Sequence, residues 1–140
     1  MLLINHGCND SLNGASAADV RGAVVACLRG LRAACGPTTH IVLVTPFGGW
    51  CASSAPHHAL ADAFAEYQGS HKSSSTAATA DGRTHLLDLR AEAAHNLDGW
   101  RVERGRYVPS RESVDGIHPT ATRHRELGFA VAREVNALLR

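Results

Sequence analysis

Two short segments hold the residues whose types and spacing could do chemistry. The first is Asp115-Gly116-Ile117-His118-Pro119. A carboxylate three residues before a histidine can bond one ring nitrogen, fixing the tautomer and stabilising the imidazolium. The other nitrogen is then left to act as a general base. The plain alternative is an aspartate turn beside an exposed histidine. The second segment is Gly7-Cys8-Asn9-Asp10, directly after the apolar run Leu2-Leu3-Ile4. Glycine there allows close approach to the backbone, and an asparagine amide supplies a fixed N–H donor suited to a developing oxyanion. The plain alternative is an Asn-Asp turn leading into a helix cap.

The elements that must position these segments read as β-α-β-α-β-α, without repeats. A strand over Leu2 to Ile4, ending at His6-Gly7, is followed by a helix from about Ser16 to Cys35. Ser16 can cap that helix, with Asp19 three residues on. Val20, Val24, Cys27, Leu28, Leu31 and Cys35 recur on one face, and Gly36-Pro37 ends the helix. Ile41-Val42-Leu43-Val44 has no polar alternation and reads as a strand covered on both faces, the mark of a parallel sheet. Thr45-Pro46 closes it. A second helix is predicted over Pro56 to Gln68, with Leu60, Phe64 and Tyr67 inward. Gly69 to Gly82 reads as a flexible surface loop, and Leu86-Leu87-Asp88-Leu89 as the third strand. An irregular stretch with Gly99, Gly105 and Pro109 leads to Asp115. A last helix is predicted over Thr120 to Leu139, with Leu127, Val131, Val135 and Leu138 inward. Strands alternating with amphipathic helices imply an α/β three-layer sandwich around a parallel sheet. In that sheet the first strand, apolar on both faces, would lie at an unprotected edge.

Taken together, the two segments resemble the SGNH hydrolases, or GDSL-type esterases. The family's third block is an apolar strand followed by Gly-x-Asn-Asp, as at Leu2 to Asp10. Its next strand closes on Thr-Pro, as at Ile41 to Pro46. Its fifth block is Asp-x-x-His-Pro with a further histidine six residues on, as at Asp115, His118, Pro119 and His124. The resemblance spans nearly the whole chain, residues 1–140, in the same order. It implies a flavodoxin-like α/β/α sandwich and a serine-esterase reaction on a small-molecule ester, without a cofactor or metal. Residue by residue, Asn9 would be the oxyanion donor with Gly7 shaping its turn. His118 would be the base and Asp115 its orienting partner. His124 falls outside the dyad and reads as a polar residue packed at a helix start.

The family's Gly-Asp-Ser nucleophile block and its glycine oxyanion block have no counterpart in this sequence. The expectation is therefore a partial domain, truncated at its N-terminus, with both blocks upstream of Met1. Asn9-Asp10-Ser11-Leu12 imitates Gly-Asp-Ser-Leu, but taking Ser11 as nucleophile would leave the oxyanion block unaccounted for. Ser53, Ser54, Ser110 and Ser113 sit in loops without a motif. A non-catalytic remnant of the same fold is the competing reading. A nucleotide-binding flavodoxin-like domain is a third, without a GxGxxG or GxxxxGK loop behind it.

Composition narrows the class. The chain has 140 residues, 44% hydrophobic and 19% charged, enough for one globular domain. A net charge of +1 offers no grip on nucleic acid or an anionic membrane. The arginines of the last third, Arg101 to Arg133, are interleaved with glutamates and read as a solvated helix face. No apolar run reaches the roughly 18 residues of a membrane span, and Met1 to Asn5 lacks the pattern of a secretory signal. The four cysteines (Cys8, Cys27, Cys35, Cys51) make no CxxC pair and read as free buried thiols. Cys27 and Cys35 would be about 12 Å apart along one helix, too far to bridge. His57 and His58 diverge and lack accompanying carboxylates, so they make no metal site. Trp50, Trp100 and Tyr107 are placed in loops bordering the pocket, where they read equally as sugar or acyl contacts or as surface aromatics without partners. Substrate identity, compartment and oligomeric state stay open.

Overall fold

The computed structural model describes residues 1–5, 13–45, 55–73, 81–88, 101–103, 106–108, 113 and 118–140. The chain divides into two compact units, Met1–Pro46 with Ser53–Asp88 and Phe47–Ala52 with Leu89–Arg140.

The first unit is an α/β layer pair. Strands β1 (Leu2–Asn5), β2 (Ile41–Val44) and β3 (Thr84–Leu87) form a parallel sheet in the order β1-β2-β3. Helices α1 (Ala17–Cys35) and α2 (Ala55–Ser73) make the crossovers. Val20 of α1 and Ala59 and Leu60 of α2 pack with Leu43, and Ile4 and Leu86 border the same cluster. Leu28, Tyr67 and Ile41 form a second cluster beside it. Both helices therefore lie on one face of the sheet, as two successive crossovers of one hand require. Val42 and Val44 point to the other face, yet each is only 1% exposed, so β2 is covered on both sides as its unbroken apolar run predicts. Among the described residues β1 is an edge strand, and Leu3 on its second face is 45% exposed.

Local chemistry sets the bounds of α1. Ser16 is its N-cap: its Oγ accepts the Asp19 amide at 3.1 Å and donates to the Asp19 carboxylate at 2.6 Å. Gly36 ends the helix with φ 73°, a conformation costly for any side chain with a Cβ, and its amide reaches the Arg32 carbonyl at 3.1 Å. The expected inner face is corrected at the cysteines. Val25 is buried, whereas Cys27 and Cys35 are free and exposed. Cys27 lies roughly a quarter-turn off the centre of the buried stripe at 100° per residue, and Cys35 is the last helical residue.

Two other expectations shift. Helix α2 continues through Gly69 to Ser73 rather than yielding to a loop at Gly69. One glycine costs about 1 kcal/mol in a helix interior, too little by itself to stop a helix already propagating. Strand β3 begins at Thr84, two residues early, because Thr84 registers with Ile41 and Leu87 with Val44. Asp88 thus follows the strand instead of lying within it.

The amino-terminal edge of the sheet is held by a buried ion pair. Arg32 Nε is 2.8 Å from Asp81 Oδ2, with the two side chains 13% and 10% exposed. Its Nη2 donates to Asp81 Oδ1 at 3.2 Å and to Thr84 Oγ1 at 3.0 Å. Its Nη1 donates to the carbonyls of Gly36 at 2.6 Å and Thr39 at 2.8 Å. Asp81 also accepts from Tyr67 at 2.7 Å, Thr84 Oγ1 at 2.5 Å and the Arg83 amide at 3.0 Å. Burial alone would push the Asp81 carboxyl up. The hydrogen bonds from Thr84, Tyr67, Arg32 and the Arg83 amide outweigh it and hold the group well below the usual carboxylate range. Burial and the neighbouring carboxylate raise the Tyr67 phenol.

The second unit contains a short antiparallel ladder that the sequence reading left irregular. β4 (Arg101–Glu103) pairs with β5 (Arg106–Val108), Val102 opposite Tyr107. Tyr107 therefore stands on a strand. Helix α3 (Ala121–Leu138) is capped by Thr120, whose side chain accepts the Arg123 amide at 3.3 Å. It buries Arg123, Leu127 and Ala130, with Val131, Val135 and Leu138 half-buried. Arg123 corrects the solvated-face reading: only 8% exposed, it reaches Glu126 at 2.7 Å, one turn along. Among the described residues no helix is long and apolar enough to cross a membrane.

Candidate functional site

In open parallel sheets, ligands sit outside the carboxyl ends of the strands. Here those ends are Asn5, Val44 and Leu87. The chain passes from Asn5 directly into the segment bearing Gly7 and Asn9, which lies outside the described residues. Thr45 and Asp88 follow the other two strands. Thr45 is fully buried, its amide donating to the Leu87 carbonyl at 3.0 Å, and so it continues the ladder by one rung. Its hydroxyl lies 3.4 Å from the half-buried Asp88 carboxylate, a long contact. Sequence reasoning used Thr45 only as a strand stop and placed Asp88 inside the strand. The signal was an acid set at the end of an apolar run.

In the second unit His118 is exposed and its backbone is fastened from two directions. Ser113 and Pro119 form an isolated antiparallel bridge. The fully buried Ser113 hydroxyl donates to the His118 carbonyl at 2.7 Å. On the other side, Thr120 caps α3, so His118 stands two residues before the cap. A general base needs both access and a fixed place, and the exposed ring on a fastened backbone provides for both. Ser113 was passed over as a loop serine. Hydroxyl-to-backbone bonds of this kind follow no periodicity, and only its closeness to His118 in sequence hinted at the role. Asp115, the expected orienting partner, lies outside the described residues.

His124 is exposed, and its Nδ1 sits 3.1 Å from the Pro119 carbonyl. A carbonyl only accepts, so this nitrogen carries a proton. The ring serves the helix start, as read from the sequence. His58 is exposed at the opening of α2. Among the described residues no three of His, Cys, Asp and Glu are grouped to hold a metal ion.

The structure thus describes His118 and its supports in one unit, and the strand ends that precede the Asn9 segment in the other. Compared with known proteins, the chain matches no family model, no curated protein and no solved structure.

Proposed function

We propose that this chain is part of a serine ester hydrolase of the SGNH type, supplying the oxyanion-hole asparagine and the Asp-His dyad. The observation that carries the reading is the joint presence of Gly7-Cys8-Asn9-Asp10 after an apolar strand and Asp115-x-x-His118-Pro119 before the last helix. The frame is compatible with it. β1 is a strand of a parallel sheet, and its carboxyl end feeds the first motif. His118 is exposed beside a capped helix start. The buried second face of β2 supports a further layer there, and with it the three-layer sandwich that the reading implies.

In this mechanism a serine Oγ attacks the acyl carbon of a small ester. His118 takes the serine proton, while Asp115 holds the ring in its productive tautomer. The carbonyl oxygen becomes an anion facing the Asn9 side-chain amide. Collapse expels the alcohol, which receives the proton from His118. Water then repeats the sequence on the acyl-enzyme and releases the acid. Ser113 positions the base through the His118 carbonyl.

The second reading is a non-catalytic domain of the same fold, favoured by the lack of a Gly-Asp-Ser block in this sequence. The test is hydrolysis of short-chain p-nitrophenyl esters by the chain joined to the coding sequence that precedes it. His118→Ala is expected to lower turnover by about a hundredfold or more. Unchanged turnover in that variant would sink the esterase reading. A folded, inert extended chain would favour the second.

A further inference from the structure

Beside the Arg32–Asp81 pair, the amino-terminal edge carries a second polar cluster that the proposed hydrolysis does not use. His40 directly precedes β2, and His85 is the second residue of β3. Ile41 registers with Thr84 and Val42 with His85, which brings His40 beside Arg83. Both rings are half-buried. Their planes lie 9° apart with centroids separated by 5.2 Å, and His40 Nδ1 is 3.0 Å from His85 Nε2. Arg83 Nη1 contacts His40 Nε2.

Donor accounting fixes the protons. A guanidinium has N–H groups and no acceptor. His40 Nε2 must therefore present its lone pair, and a His40 that accepts there and donates to His85 is neutral with its proton on Nδ1. His85 accepts at Nε2, so it too is neutral and protonated at Nδ1. The three groups form a chain of one polarity, Arg83 to His40 to His85.

We propose that Arg83, His40 and His85 form a proton-operated latch across the amino ends of β2 and β3. A proton taken up at His85 Nε2 reverses the ring–ring bond, so that His85 donates to His40 Nδ1. His40 gives up its Nδ1 proton and gains one at Nε2, for a net uptake of one proton by the pair. The new N–H faces the guanidinium and expels it. A second proton makes both rings cationic and breaks the bond between them. Every element packed at this edge contributes. The Leu2 amide of β1 donates to the His40 carbonyl at 2.8 Å. Arg32 of α1 brings a positive charge, itself committed to Asp81, Thr84, Gly36 and Thr39. Tyr67 and Gln68 of α2 are turned to Asp81 and the Thr84 carbonyl.

Burial pushes the His85 imidazole below its ordinary value, and a proton on His40 would add to this by repulsion; Arg83 and Arg32 act in the same direction, while Asp81 opposes it. The folded state thus prefers neutral His85. The stability this gives is complete above the unfolded value of about 6.5 and is lost as pH falls through the lower folded value. The Asp81 carboxylate, held far lower, stays ionised across that window. The Ile41 amide reports opening, because it donates to the Arg83 carbonyl at 2.8 Å in the first rung between β2 and β3.

The test is nitrogen-15 imidazole NMR of the full chain from pH 8 to pH 5, with hydrogen exchange at the Ile41 amide. At pH 8 both rings are expected to carry protons at Nδ1 and bare Nε2 atoms. On acidification His85 titrates below its ordinary midpoint, and the His40 tautomer reverses with it. Exchange at Ile41, corrected for its intrinsic pH dependence, is expected to quicken over the same range as the edge opens. His85→Phe should abolish that change. An Nε2–H tautomer on either ring at pH 8 would overturn the latch. So would titration of His85 at its ordinary value, or equal Ile41 behaviour in the native chain and His85→Phe.

Discussion

An aspartate and a threonine meet at each edge of the same three-stranded sheet, and the two meetings differ. At the amino edge Thr84 donates to Asp81 at 2.5 Å, and Arg32, Tyr67 and the Arg83 amide converge on the same carboxylate. At the carboxyl edge Thr45 stands 3.4 Å from Asp88. The first is a closed arrangement in which a buried charge is fully compensated. The second is a long contact between two side chains at the edge where parallel sheets place their ligands. The amino edge holds a compensated ion pair, and the residue types suited to chemistry follow from the other edge.

That contrast is open to direct attack. Asp81→Ala leaves the Arg32 guanidinium buried without its carboxylate and is expected to cost about 3–5 kcal/mol in urea unfolding. A loss below about 1 kcal/mol would remove the amino-edge lock. The same pair predicts acid sensitivity: with Asp81 held below its unfolded value, its contribution is complete above about pH 4 and fades as pH falls through the lower folded value. Asp81→Asn should flatten the unfolding free energy over that range. Thr45→Val keeps the shape of a fully buried side chain and removes its hydroxyl, for an expected loss of about 1 kcal/mol. A loss as large as that of Asp81→Ala would erase the distinction between the edges. Ser113→Ala should cost about 1 kcal/mol as well, and unlike Thr45→Val it should displace the ring resonances of His118. Smallest of all, Cys27→Ser on the exposed flank of α1 should change stability by no more than about 0.5 kcal/mol, and both helix thiols should react with a disulfide reagent in the folded chain. Slow labelling would return them to the core.

How far the sequence could be read follows the same division. Elements defined by local chemistry were legible: the Ser16 cap, the Gly36 stop, the doubly buried β2 and the start of the last helix near Thr120 all stand where residue types put them. Misreadings came where a distant partner decides. Cys27 has an apolar side chain at a helical spacing, but the position of the sheet leaves it outside. Arg123 looks like a surface charge, yet it is buried and paired with Glu126 one turn along. The amino-edge network joins Arg32 to Asp81 across 49 residues, a pairing that no spacing rule predicts. The β4–β5 ladder did leave a signal, since Val102 and Tyr107 flank Gly105 in two short alternating runs. For the candidate site, sequence supplied the motifs themselves, while the Ser113 support for His118 became visible only in coordinates. Gly7, Asn9 and Asp115 remain known by their motif.

The proposed function, in which the Asn9 amide and the His118 ring act on one acyl group, can be tested without turnover. A nitroxide on a cysteine at position 118, in a chain whose native cysteines are replaced, reports which side-chain amides lie near. The account predicts strong broadening of the Asn9 side-chain resonance and none at the amino-edge amide of Gln68. Full intensity at Asn9, with broadening at Gln68, would contradict it.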